Sequence, residues 1–487
     1  MNPAQIWNRI RPVLLRRPLI SILLLSLLVR ILYLSFNHPL WWDSHIYIGM
    51  GKYIFSNGNI GIWESFRPLV HPLILGFFWK IGLNPVVAGK ILDLLFSLIV
   101  VYLTYLLAHK IFNRTIAIIS SLLLSLTPLF IMFTGLILTE PLAMVFGLLG
   151  LYLFLQGDRW WHLFFSGFFL SLSFLTKFPQ GLFFGGTFLV AIFEKKSITQ
   201  KIKQAGFLTL GFALPLVPYL IFNYRHYPNF MEPFISGSWI VTTATWLYGS
   251  GITYYFIYFF LAIPIYLFFF AYFYYYYTEK LYYDQNKNLL LLITLLTLAY
   301  FLYVPRKEVR YLVTILPLLS IMTAFALIRI YQQLSASPKP FVKPQAFVII
   351  LTLILLAHLP TALYFEKAPS FEPEIRRMIA EHHLNGTILT TDPAFISFLD
   401  LPMVILSGMD FAPAIYQQQK HSYDLLFIND CDLICAPDNQ SCFQQRARFL
   451  TTLAQENEQI FTQQFIFNKH NSETRRICTY TIYLPKR

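Results

Sequence analysis

The chain has 487 residues, 56% of them hydrophobic and 13% charged, whereas an ordinary soluble domain carries about 25% charge. With 48 Phe, 30 Tyr and 9 Trp, this composition excludes a disordered chain, a coiled coil and a soluble enzyme, and points to a polytopic membrane protein. The formal net charge of +13 is split: 26 Lys+Arg against 10 Asp+Glu over 1–364, and 11 against 14 over 365–487. The basic excess lies in short loops between apolar runs, which is a signal of membrane orientation and not the footprint of a nucleic-acid binder.

Apolar runs of spanning length fall at about 18–36, 85–108, 115–134, 139–156, 161–176, 180–193, 204–222, 253–277, 289–304, 310–331 and 345–364, eleven in all. If the N-terminus is cytoplasmic, fifteen Lys and Arg, among them Arg9, Arg11 and Arg16, lie on the inner side and eight on the outer. That asymmetry predicts an inner N-terminus and, with eleven spans, an extracytoplasmic tail. The first run has no small-residue cleavage site and reads as an anchored helix, with Arg30 expected to snorkel outward.

Carboxylates are scarce over 1–364, so their positions are informative. Asp43 follows Trp41-Trp42 and opens the outer loop 37–84, which also holds His45, Tyr47, Glu64, Arg67 and His71. Asp93 sits inside the second run. Glu140 starts the fourth run in Leu138-Thr139-Glu140-Pro141, where an acid before a proline also makes an ordinary helix start. Asp43 and Glu140, at the outer mouths of the first and fourth runs, are candidates to orient an acceptor, act as base or hold a divalent cation. On the cationic side, Arg306-Lys307-Glu308-Val309-Arg310 breaks the positive-inside trend, and Lys177 lies between two apolar runs. Such groups could hold a phosphate at the membrane surface, although interfacial lysines are common. The aromatic stretch Tyr254–Tyr277 suits an isoprenoid groove or a lipid-facing belt equally.

From 365 onward the pattern becomes mixed. Strands are expected at 388–391, 402–406, 425–428, 460–466 and 477–483 and a helix at 443–456, a small extracytoplasmic α/β domain. Cys431, Cys435, Cys442 and Cys478 all lie there. Two disulfides, with pairing open, are favoured over a zinc site of four thiolates, because the spacing is irregular for zinc and the compartment oxidising.

Four stretches resemble the C-superfamily of glycosyltransferases, polytopic enzymes that use lipid-phosphate-sugar donors: Trp42-Asp43-Ser44-His45-Ile46-Tyr47 with Glu64…Arg67-Pro68-Leu69-Val70-His71; Leu138-Thr139-Glu140-Pro141; Leu172–Phe178 around Lys177; and Lys307-Glu308-Val309-Arg310-Tyr311. The first three are similar to the protein-mannosyltransferase and aminoarabinose-transferase branch. The fourth, with Trp63-Glu64, is similar to the dolichol-linked mannosyltransferases, although Ser44 and Arg306 replace an acid and a His expected there. The resemblance spans about 15–330. It implies an all-α GT-C-like membrane domain (1–364), with the tail (365–487) as a separate domain.

It also implies a hexose or aminopentose donor on polyprenyl or dolichyl phosphate. The phosphate would lie near Lys177 and Arg310, with Arg306 and Lys307. Asp43 would be the base, Glu140 would orient the acceptor or help place Asp43, and His45, Tyr47, Glu64, Arg67, His71 and Glu308 would support them. The resemblance leaves a divalent cation open. The acceptor would be a glycan, lipid or protein outside the cytoplasm, and the location a plasma or endoplasmic-reticulum membrane. A lipid-linked-sugar flippase is the competing reading, but no internal repeat is evident.

Overall fold

The computed structural model describes residues 17–36, 38–242, 245, 248–363, 371–406, 408–468 and 475–486. Arg9, Arg11 and Arg16 of the orientation count, and the expected boundary at 364/365, lie outside the described residues. Helices run in the order α1 (Pro18–Ser35), α2 (Trp42–Phe55), α3 (Val70–Lys80), α4 (Pro85–Ile111), α5 (Arg114–Leu126), α6 (Thr139–Phe154), α7 (Trp160–Thr176), α8 (Gly181–Phe193) and α9 (Ile198–His226). They continue as α10 (Glu232–Thr242), α11 (Phe268–Thr278), α12 (Gln285–Tyr303), α13 (Leu316–Ala336), α14 (Pro344–His358), α15 (Glu372–Glu381), α16 (Ala412–Gln419) and α17 (Gln440–Glu456).

The chain forms two compact units. One comprises Met1–Asn37, Phe66–Val70 and Lys90–Tyr364; the other comprises His38–Ser65, His71–Gly89 and Phe365–Arg487. Most of the first outer loop thus belongs with the C-terminal segment and not, as its sequence position suggested, with the spans.

The first unit is the membrane part. Among the described residues, six helices are long and apolar enough to cross a bilayer (Pro18–Ser35, Pro85–Ile111, Ile198–His226, Gln285–Tyr303, Val309–Ala336 and Pro344–Ala362), and four shorter apolar helices accompany them. The expected run 253–277 is not one helix. It is a π-helical turn (Phe256–Leu261), a 3-10 turn (Pro264–Leu267) and α11, because Pro264 has no N–H for the ladder. The helix begun at Val309 is the most enclosed, with 89% of its apolar window buried, and its Leu316–Leu327 stretch forms the centre of the bundle.

Helices α7 and α9 approach unusually closely at glycines. A Cβ on Gly167 would lie 1.9 Å from Leu208 O, and one on Gly211 would lie 1.9 Å from Phe164 O. Small residues at such crossings let two backbones touch where lipid offers no hydrophobic drive. Ser166 and Ser173 of α7 donate to the Gly150 and Ala143 carbonyls of α6 at 2.8 and 2.7 Å. Arg30 differs from expectation. It does not snorkel: it is fully buried, donates to Ser26 Oγ at 2.6 Å and Ser125 O at 3.2 Å, and lies 4.9 Å over the Phe130 ring. Solvation by the neighbouring helix replaces solvation by water.

The second unit holds a five-stranded sheet built from β1 (Thr387–Thr390), β2 (Met403–Ile405), β3 (Tyr423–Asn429), β4 (Asn457–Asn468) and β5 (Arg475–Pro485), in the order β2-β1-β3-β5-β4. The first three strands pair in parallel (Ile388 beside Met403, Leu389 beside Leu426), and β5 runs antiparallel to β3 and β4 (Phe427 opposite Ile482). Every expected strand is present. Leu389, Leu426, Ile428, Leu453 and Tyr483 are core residues. Cys431 is bonded to Cys478, and Cys435 to Cys442, so the turn after β3 is tied to β5 and the next loop to the start of α17. Helices α2 and α3 cross at Gly51 and Gly76, where a Cβ on Gly51 would lie 2.6 Å from Gly76 N.

Candidate functional site

In the first unit, Glu140 occupies the first turn of α6 and is 2% exposed. Its Oε1 accepts from Lys177 Nζ at 2.8 Å, and Thr139 Oγ1 donates to its Oε2 at 3.4 Å. Lys177 follows the last residue of α7 in extended conformation. This directs an ammonium from the helix end towards the start of α6, and its Nζ lies 6.0 Å from the Tyr311 ring centre.

Tyr311 leads to a second group. Its hydroxyl donates to Glu308 Oε1 at 3.0 Å. Arg306 Nε donates to the same oxygen at 2.7 Å, and Arg310 Nε lies 2.6 Å from Oε2. Arg306 also stacks on Tyr248, 3.4 Å from the ring centre. Exposures of 11%, 14% and 16% for the Arg306, Glu308 and Arg310 side chains make these ion pairs mostly enclosed, where charge is screened little. Counted over these five side chains alone, three cations (Lys177, Arg306, Arg310) and two carboxylates (Glu140, Glu308) sum to +1, a cationic excess suited to an anion.

Lys307 is not part of this group, contrary to the expectation that it contacts phosphate. It is 3% exposed, and its ammonium donates to the carbonyls of Phe301, Leu302 and Val304. All three donors are spent on the C-terminal end of α12, the negative pole of that helix. Burial lowers its pKa from the ordinary lysine value. Its backbone pairs with Gly249 in both directions, which brings Tyr248 beside Arg306. Arg67, also in this unit, lies over the Phe66 ring at 5.2 Å.

In the second unit, Asp43 lies in the first turn of α2 and is partly buried, as is Glu64 in the loop beyond. His45, Gly49 and Lys52 follow at helical spacing on one face of α2, and that face meets the turn before β2. His45 Nδ1 is 2.6 Å from Ser397 Oγ. A Cβ on Gly49 would lie 2.6 Å from Ile396. Lys52, 2% exposed, donates to the Ile396 and Leu399 carbonyls at 2.7 and 2.9 Å and pairs with Asp400 at 2.9 Å. Trp79 of α3 donates to the same carboxylate at 3.1 Å.

His71 is 2% exposed, edge-on to Tyr47 at 5.4 Å. Burial lowers its pKa to about 3, and that of His45 to about 4, so both rings are neutral near pH 7 and act as packing and hydrogen-bonding groups. Neither is a ready phosphate ligand.

Sequence reading missed Lys52, Tyr248 and Asp400. The His45–Gly49–Lys52 spacing was the available signal for the first, and an aromatic turn before Gly249 for the second. Asp400 carried none. For a metal, the ligand atoms of three or more His, Cys, Asp or Glu residues come together in one place among the described residues, at Asp430, Cys431 and Cys478. Both cysteines are disulfide-bonded there, and Glu140 is already held by Lys177. At these two places the ligand atoms already have partners: Asp430 accepts from Thr479 N, and Glu140 from Lys177.

Residues 66–222, less than half of the chain, match the family model described as dolichyl-phosphate-mannose-protein mannosyltransferase. No curated protein matches by sequence. Among solved structures, the chain is similar to the oligosaccharyltransferase of Archaeoglobus fulgidus (TM-score 0.59, 10% identity, 91% of this chain and 72% of that one). It is also similar to ArnT of Cupriavidus metallidurans bound to undecaprenyl phosphate (TM-score 0.58, 13% identity, 95% and 97%). A third likeness is to the mycobacterial arabinofuranosyltransferase AftD (TM-score 0.53, 14% identity, 97% of this chain but 40% of that one). Multi-pass helices, the small sheet domain and these three likenesses agree: the chain has the GT-C fold, the fold of the C-superfamily of membrane glycosyltransferases.

Proposed function

We propose that this protein is a glycosyltransferase that moves one monosaccharide, a mannose-like hexose or an aminopentose, from a polyprenyl- or dolichyl-phosphate donor to an acceptor outside the cytoplasm. The observation that carries the reading is the enclosed Lys177–Glu140 and Arg306–Glu308–Arg310 group with its net charge of +1. The solved relatives support it, since the archaeal oligosaccharyltransferase has been captured with a dolichol-phosphate and ArnT with undecaprenyl phosphate.

In the mechanism, the Asp43 carboxylate takes the proton of the acceptor nucleophile. The nucleophile attacks the anomeric carbon from the face opposite the phosphate, and the bond from that carbon to the phosphate oxygen breaks. Configuration inverts, and the lipid phosphate leaves with the bonding electron pair. Lys177, Arg306 and Arg310 stabilise the charge gathering on that phosphate, so no proton has to be supplied to it. Glu140 sets the direction of Lys177 and orients the acceptor. The first outer loop and the C-terminal unit would face outward and the N-terminus the cytoplasm, in a plasma membrane or, in a eukaryote, the endoplasmic reticulum.

The test is sugar release by the purified full chain in detergent. Radiolabelled undecaprenyl- and dolichyl-phosphate sugars are offered one at a time to the wild type and to Asp43→Asn. Label freed from one donor by the wild type, and lost in the variant at unchanged thermal stability, is the expected result. Equal release by Asp43→Asn would remove Asp43 from the base role, whereas passage of intact donor across a bilayer without cleavage would favour a flippase.

A further inference from the structure

Asp93 lies in α4 and is 1% exposed, yet nothing in the proposed chemistry uses it. Its Oδ2 accepts from two backbone amides, Ile137 N at 2.6 Å and Gly135 N at 3.3 Å. Those amides belong to the loop 133–138, which enters α6 just before Thr139 and Glu140. The loop is unusual in its backbone. Gly135 has φ +94° and Ile137 φ +57°. Glycine is suited to the first position: a Cβ there would lie 2.4 Å from Leu34. Isoleucine is poorly suited to the second, because a β-branched side chain at positive φ collides with its own backbone. Such conformations persist where the surroundings over-determine them, and they cluster at functional sites. Ile137 is fully buried, as are Leu136 and Leu138, so the loop has no room to relax by swinging outward.

We infer that Asp93 is a positioning residue for Glu140. Its carboxylate clamps the left-handed Ile137 and thereby fixes the first turn of α6, so that Glu140 meets Lys177 at 2.8 Å. The inference rests on the reading above that Glu140 belongs to the reactive group. It accounts for an acid on a membrane-embedded helix, where a buried carboxylate is costly and marks a functional position. Without the clamp, Ile137 gains by returning to an ordinary backbone region, and that rotation is transmitted to Glu140 two residues from the end of the loop.

The test uses the full chain in detergent and four variants: Asp93→Ala, Ile137→Gly, the two combined, and Glu140→Gln. Amide hydrogen exchange over 134–140 reads the clamp, and sugar release from undecaprenyl-phosphate mannose and undecaprenyl-phosphate aminoarabinose reads its consequence. Asp93→Ala is expected to speed exchange across the loop and to lower kcat about 10²-fold, the cost of a displacement of roughly 1 Å at a reacting group, with donor KM nearly unchanged. Ile137→Gly in the Asp93→Ala background is expected to restore part of both, since glycine takes positive φ without strain. Unchanged exchange in Asp93→Ala, or no recovery in the combined variant, would overturn the inference. Full release by Glu140→Gln would instead overturn the role given to Glu140, and the exchange measurement decides on the clamp even if neither donor is cleaved.

Discussion

Replacing Lys177 by methionine removes one partner of an enclosed ion pair and leaves the other in place. At the observed 2.8 Å and an effective dielectric constant of about 20, the gross attraction is roughly 6 kcal/mol. Desolvation of both charges offsets much of that, so the pair itself contributes far less. The single variant is worse than the bare pair suggests, because Glu140 is 2% exposed and is left without its cation; removing one partner of such a pair costs about 3–5 kcal/mol. Lys177→Met/Glu140→Gln buries no charge and should recover a large part of the loss. The assay is a double-mutant cycle on denaturant unfolding of the full chain in micelles, with a coupling energy of at least about 2 kcal/mol expected. Donor binding gives a second readout. If Lys177 also meets the donor phosphate, affinity falls by about 1.5–3 kcal/mol, roughly 10- to 150-fold. Additivity within about 0.5 kcal/mol would refute the claim that the two side chains act as one unit.

Two further outcomes concern the second unit. Lys52→Met strips two carbonyls of their donor and should destabilise the chain by about 2 kcal/mol or more, whereas Asp400→Asn, at a carboxylate 59% exposed, should cost less than about 1 kcal/mol. Equal losses in thermal stability would show that Lys52 acts through the ion pair and not through the carbonyls of Ile396 and Leu399. Burial raises the Asp392 pKa from 3.8 to about 6, so folding favours its protonated form: its contribution is complete below about pH 3.8 and is lost as pH rises through about 6. His45 and His71, held neutral, run the other way and lose their contribution as pH falls below about 6.5 towards 4 and 3. The Asp392 effect is therefore read as a difference: the unfolding midpoint of Asp392→Asn relative to wild type should rise between pH 4 and 7, and a flat difference would rule it out.

Much of the architecture was legible because hydropathy and alternation are local signals. Six long apolar helices and all five strands could be read from runs of side chains, and the break at Pro264 could have been read from one residue. The candidate residues could be picked out by type, but their pairings could not. Asp43, Glu140, Lys177 and Arg310 stand out as charges where the chain has few. Nothing in the order of residues says that Lys177 spends a donor on Glu140, 37 residues away, or that Lys52 reaches carbonyls almost 350 positions later. Arg30 failed for the same reason: snorkelling is the default for a lone helix, and Ser125 belongs to another one. Asp93 was visible as an intramembrane acid, but its partners are backbone amides, which no side-chain pattern announces.

The short run 306–310 illustrates how one cationic stretch divides its work. Arg306 and Arg310 converge on Glu308, whereas Lys307 turns away to the end of α12. Counted as sequence, the run and Lys177 supply four cations; counted by their contacts, they leave a net charge of +1 once Glu140 and Glu308 are included. On the proposed reaction that difference has a chemical sense. A lipid-phosphate sugar is a phosphodiester with one negative charge, and the departing lipid phosphate carries close to two. A site holding three or four unopposed cations would bind donor and product tightly alike, and such uniform binding does not speed the chemical step. A site already occupied by Glu308 gives the donor a modest welcome. It releases its arginine donors fully only as charge builds on the leaving oxygen, which is the point at which preorganised donors lower the barrier. On the proposed reaction, Glu308 would keep Arg306 and Arg310 aimed and would compete with the spent lipid phosphate for them.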